Sequence, residues 1–141
     1  MTIVVAYAQT PESQAALKQA EAEATWRGSR LLIVRAVKVS TSENTAAARE
    51  QARDTTRDRE ELDALVSRTA ETGINVQGEM IVLDPPTSIA ESVLSVVDRE
   101  GAELLVIGVR RRSPVGKAVM GSDAQDMLLQ ANCPVLAVKA D

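Results

Sequence analysis

Four short runs of contiguous apolar residues constrain this chain more than any other feature: Ile3-Val4-Val5-Ala6, Leu31-Leu32-Ile33-Val34, Leu104-Leu105-Val106-Ile107 and Val135-Leu136-Ala137-Val138. A strand that is apolar at every position offers no face to water, so such runs belong in a parallel sheet covered on both sides. A fifth run differs. Ile74, Val76, Gly78, Met80 and Val82 alternate with Asn75, Gln77, Glu79 and Ile81. Near-alternation predicts a strand at a sheet edge with one exposed face.

Helical signals fill the gaps. Thr10 followed by Pro11 predicts an N-cap and a first helical position, where the missing proline N–H costs nothing. Leu17, Ala20 and Ala24 share one face of that helix, and Gly28 is a C-terminal stop. A second helix is expected over about residues 44–72, with Leu62, Leu65, Val66 and Thr69 as its apolar stripe and Gly73 at its end. Asp84 before Pro85 predicts the cap of a third helix, which carries Ile89, Val93, Val96 and Val97 and stops at Gly101. Ser122, three residues before Gln125, has the spacing of a capping box and opens a fourth helix. The order is β-α-β-α-β-α-β-α-β. Strict alternation implies an α/β fold, a five-stranded, doubly wound parallel sheet with right-handed crossovers and helices on both faces. The 141 residues suit one domain spanning 1–141. Residues 38–45 are the expected flexible loop.

Composition excludes much chemistry. The chain has no histidine, so His-based triads and most zinc sites are absent. The one cysteine, Cys133, permits no internal disulfide, and a cytoplasmic location follows as the default. Its place before Pro134, beside a buried strand, favours a structural thiol over a redox one. A net charge of −4 gives no bulk attraction to nucleic acid, and no apolar run has the length of a membrane span. Residues 49–63 are densely charged. They read as a solvated helix face laced with local ion pairs rather than as a partner surface.

In an open parallel sheet, ligands bind beyond the C-terminal strand ends. Two loops meet there: Tyr7-Ala8-Gln9-Thr10, and residues 108–122 after the fourth strand. Gly108 ends a buried strand, where a backbone can turn sharply or approach a ligand. Gly121-Ser122 opens a helix, whose free N–H groups attract phosphate. Arg110, Arg111, Arg112 and Lys117 add positive charge in the same loop. Tyr7 reads either as a base-stacking ring or, more commonly, as a core or rim tyrosine.

The whole chain resembles the universal stress protein family. The resemblance rests on the opening strand through Thr10-Pro11-Glu12-Ser13, on Ala102-Glu103-Leu104-Leu105-Val106-Ile107-Gly108, and on the close from Gly121-Ser122 to Cys133-Pro134-Val135-Leu136-Ala137-Val138. It implies a Rossmann-like, adenine nucleotide alpha hydrolase-like sheet of order 3-2-1-4-5. Nucleotide-binding members look like G-x2-G-x9-G-[S/T] after the fourth strand. Here Gly108, Arg111, Gly121 and Ser122 keep that spacing, with Arg111 replacing the second glycine. Ala8 stands where binding members carry an aspartate that contacts the sugar and base. Asp123 replaces a small apolar residue; it favours the helix dipole but repels a phosphate at the same amides. Val37 is the family-matched position for a base contact. The implied site is therefore Ala8, Val37, Gly108, Arg110, Arg111, Gly121, Ser122 and Asp123. The implied ligand is ATP or another adenine nucleotide, with Mg2+ admissible alongside it. The resemblance also implies a homodimer through strand five, at Val135, Leu136, Ala137 and Val138.

Two functions stay open: a regulatory module that binds an adenine nucleotide with little or no hydrolysis, and a nucleotide-independent dimeric interaction protein with a degenerate site. A true enzyme is the weakest reading, since no catalytic base or metal site is evident. The sequence names no protein partner.

Overall fold

The structure, a computed structural model, describes residues 1–38, 45–110 and 121–140. The five strands are β1 (Thr2–Ala6), β2 (Arg30–Lys38), β3 (Val76–Leu83), β4 (Leu104–Val109) and β5 (Val135–Lys139). They form one parallel sheet of order β3-β2-β1-β4-β5. The helices are α1 (Pro11–Arg27), α2 (Thr45–Ala70), α3 (Ile89–Glu100) and α4 (Ser122–Gln130). The doubly wound arrangement expected from the alternation is present.

Side-chain alternation along the central strands builds two cores from the same apolar runs. Ile3, Val5, Ile33 and Val106 face α1 and α2 and meet Leu17, Ala20, Leu62 and Leu65. Val4, Leu32, Val34 and Leu105 face the other way, onto Val93, Val96 and Val97 of α3 and Met127 of α4. Nearly every position of the apolar runs in β1, β2 and β4 is thus buried against one layer or the other, which is why those runs are contiguous. The run at 135–138, expected to be covered on both faces, is instead only partly buried because β5 is a sheet edge, and Ala137 is exposed. Truncating one of the larger of these side chains to alanine costs about 2–5 kcal/mol.

The edge position of β3 agrees with its alternation, but its outer face is only partly open. Val76 and Met80 pack toward α1 and α2, Ile81 packs toward α3, and Val82 is 48 % exposed. Glu79 accepts a hydrogen bond from Arg99 Nη1 at 3.1 Å, tying β3 to α3.

Two helix starts differ from their sequence signals. The third helix is capped by Ser88, not Asp84: Ser88 Oγ accepts from the Glu91 N–H at 3.1 Å. Asp84 belongs to the preceding turn, where its carbonyl accepts from the Thr87 N–H at 3.0 Å. The Ser88-to-Glu91 spacing is itself that of a capping box, and two prolines ahead of it hold the chain out of helix. Ser122 is the first helical residue of α4 rather than its cap; Gly121 takes the cap position, and no side chain among the described residues caps it. Gly28 and Gly101 end α1 and α3 in the left-handed conformation (φ 63° and 56°), as their positions predicted.

The predicted second helix is present as Thr45–Ala70; residue 44 and the loop segment 39–44 lie outside the described residues. Its charged stretch is mostly solvated, as the exposed Arg57–Asp54 pair at 3.7 Å illustrates. Asp58 is different: it pairs with Arg35 of β2 rather than with a helix neighbour.

Candidate functional site

A crevice of about 570 Å³ lies at the C-terminal end of the sheet, over β2, β1 and β4. Strand order reverses there, because the chain leaves β1 toward β2 on one side and reaches β4 on the other. Ala6, Ala8, Ala36 and Gly108 line its small-residue floor, and Tyr7 stands at its α1 side, where it also packs against the core.

Three helix N-termini border this space. At α1, Thr10 Oγ1 accepts from the Ser13 N–H at 3.1 Å, and Ser13 Oγ accepts from the Ala8 N–H at 3.1 Å. At α3, Ser88 supplies the cap and Asp123 Oδ1 accepts from the Ala90 N–H at 3.1 Å. At α4, Gly121 lines the crevice, and among the described residues no side-chain oxygen caps the helix. The first turn of α4 therefore keeps N–H donors and the positive end of the helix dipole facing the cavity mouth.

Gly108 has a structural reason to be glycine. A Cβ there would meet the Glu12 carbonyl and lie 2.8 Å from the Ser13 nitrogen, so α1 can sit on β4 only over a bare backbone. Gly121 has no such constraint: its surroundings are open for 4 Å and its φ is −57°.

Among the described residues, four charged side chains line the crevice: Glu12, Arg35, Arg110 and Asp123. Arg110 Nε stands 3.6 Å from Glu12 Oε1, an exposed cation beside a shielded carboxylate. Asp123 is turned to the start of α3. Its negative charge favours that helix's dipole, so it serves α3 as well as its own helix. Arg35 Nη2 is 3.3 Å from Asp58 Oδ1, and Asp58 does not line the crevice.

Of the eight residues inferred from the sequence, Ala8, Gly108, Arg110, Gly121 and Asp123 line this one cavity. Ser122 follows Gly121 at the helix start and is exposed. Val37 lies elsewhere, in a shallower groove of about 460 Å³ beside Glu50, Asp54 and Asp58 of α2. Arg111, like Arg112 and Lys117, lies outside the described residues. The sequence reading missed Arg35. Its signal was a lone cation inside the apolar β2 run, between Val34 and Ala36, where an uncompensated charge is costly. Cys133 is a half-buried free thiol, and burial pushes it above the ordinary thiol range, opposed by a backbone hydrogen bond from Leu105. A raised thiol has little thiolate at neutral pH, which agrees with a structural cysteine.

A doubly wound parallel sheet of order β3-β2-β1-β4-β5, with a crevice at its switch point, defines an α/β protein of the Rossmann-like class. The model of the universal stress protein family matches residues 1–139, and the chain belongs to that family. It is 33 % identical over 139 residues to a universal stress protein of Mycolicibacterium smegmatis, covering 97 % of this chain and 96 % of that protein. The structure of a universal stress protein from Archaeoglobus fulgidus matches with a TM-score of 0.76 at 29 % identity, over 99 % of this chain and 98 % of that one. A universal stress protein from the same organism, solved in complex with dAMP, matches with a TM-score of 0.70 at 25 % identity, over 99 % and 98 %.

Proposed function

We propose that this chain is a regulatory module that binds an adenine nucleotide in the β1–β4 crevice and hydrolyses it slowly or not at all. The carrying observation is the N-terminus of α4. It is the one helix start around the cavity that the described side chains leave uncapped, and it lies where an anion gains most from amide donors and dipole. The Archaeoglobus fulgidus relative in complex with dAMP supports an adenine nucleotide as the ligand class. Both crevice carboxylates are engaged, Glu12 with Arg110 and Asp123 with the Ala90 amide. Neither is set to activate a water, so fast hydrolysis has no base among the described residues. For the same reason Mg2+ would arrive on the nucleotide's phosphates rather than on protein carboxylates.

Calorimetric titration with ATP, ADP, AMP and cyclic AMP, with and without Mg2+, tests this reading. The expected result is a dissociation constant below about 1 mM for at least one of them. No heat with any ligand sinks it. One observation favours a second reading, a nucleotide-independent interaction protein: the glycine at 108 is explained by α1 alone, without a ligand. On either reading the chain pairs as a homodimer through β5. That edge strand is only partly buried, and an apolar edge left uncovered invites pairing with a second copy. A monomer at tens of micromolar in light scattering would contradict the pairing. Cytoplasmic residence completes the proposal. Among the described residues, no helix is long and apolar enough to cross a membrane.

A further inference from the structure

Arg35 is the crevice residue that neither the phosphate-binding helix start nor the fold requires. It lies on β2 one position past the Ala6–Val34 pair, so it stands beside Tyr7 on the neighbouring strand. Adjacent strands are about 4.8 Å apart, which puts Arg35 two strands, or roughly 10 Å, from the β4 line that leads to α4. A nucleoside anchored by its phosphate at α4 spans such a distance across β1. Over β1 the side chain at position 8 is a methyl group, so no carboxylate stands ready to accept from ribose hydroxyls.

The charges reinforce this geometry. Within the crevice Glu12 is matched by Arg110, and Asp123 is held by the start of α3. Among the described residues Arg35 is matched only by Asp58, which lies on α2, outside the cavity. One hydrogen bond to Asp58 engages one of its five N–H donors, and no other partner appears among the described residues. The Arg35 side chain is 17 % exposed, so it is held in place yet accessible. A guanidinium fixed in this way suits a phosphate, which it can meet with two parallel hydrogen bonds.

We propose that Arg35, braced by Asp58, makes the crevice select adenine nucleotides that carry a second phosphate on the ribose 2′ or 3′ position. This rests on the nucleotide reading above. The first phosphate meets the α4 amides and the second meets Arg35, while Ala8 leaves room between them without repelling either.

The test titrates the full chain with 5′-AMP, adenosine 2′,5′-bisphosphate and adenosine 3′,5′-bisphosphate. In the parent protein one bisphosphate binds about tenfold more tightly than 5′-AMP. Arg35→Gln abolishes that preference. Asp58→Asn, which keeps an acceptor to hold the guanidinium but removes the competing negative charge, enlarges it severalfold. The two variants break the same ion pair and move the preference in opposite directions, which damage to folding would not do. A parent protein that binds 5′-AMP but prefers neither bisphosphate overturns the proposal and spares the nucleotide reading. So does a preference that survives Arg35→Gln. No binding of any of the three overturns the proposal, and the titrations with ATP, ADP and cyclic AMP then decide the nucleotide reading separately.

Discussion

The N-termini of α1 and α4 face the same crevice and are built in opposite ways. The start of α1 is closed by its own sequence: Thr10 caps, Pro11 omits a donor, and Ser13 returns a bond to the Ala8 amide. The start of α4 has glycine at the cap and, among the described residues, no side-chain acceptor. A helix start that satisfies itself contributes to stability, whereas one that stays open keeps its donors for an anion. The start of α3 belongs with the closed kind, and it is closed in part by Asp123 borrowed from α4. On the proposed nucleotide reading, folding and binding fall to different helix ends within one cavity.

The sharpest way to break this contrast is Gly108→Ala. The new methyl group collides with the first turn of α1, and the expected loss is about 3 kcal/mol of unfolding free energy in a urea titration. A loss below about 0.5 kcal/mol would mean that α1 does not need that approach. Next in size are the caps. Thr10→Ala and Ser88→Ala should each cost about 1 kcal/mol, while Ser122→Ala should stay within about 0.5 kcal/mol. Equal losses at all three would show that α4 is capped like the others.

Asp123→Asn sharpens the comparison on the binding side. The amide oxygen keeps an acceptor for the Ala90 N–H while the negative charge beside α4 disappears. The expected outcome is nucleotide affinity raised about threefold, with small change in stability. Unchanged or weaker affinity would show that the carboxylate does not oppose the ligand.

The smallest effect concerns Glu21 on α1, whose carboxyl is raised above its ordinary value by burial, against the pull of Arg68. A raised carboxyl binds its proton more tightly in the folded chain. Stability is therefore fully present below the ordinary value of 4.5 and declines as pH rises through the raised one. Glu21→Gln should raise the melting temperature slightly at pH 7 and leave it unchanged at pH 4. A lower melting temperature at pH 7 would contradict the burial argument.

Much of this arrangement is written locally. The apolar runs at 3–6, 31–34, 104–107 and 135–138 are strands because no other element buries four successive apolar residues so cheaply in so short a length. Thr10-Pro11 and the glycines at 28 and 101 act through bonds within a turn, so their effects are visible in sequence. Asp84 and Ser122 misled for the opposite reason. Each has a plausible capping identity, yet which of several polar residues takes the cap depends on where the preceding chain leaves the sheet.

The sequence by itself determined the alternation of elements, the parallel sheet and the loops that meet at its C-terminal edge, because hydrophobic periodicity and turn chemistry act over a few residues. Tertiary structure alone decided the partners of the charged residues that pair across elements. Asp123 reaches 33 positions back to the Ala90 amide, and Arg35 meets Asp58 across 23. Electrostatic partners are set by distance in space, and spacing along the chain carries no record of it until the sheet and helices have packed.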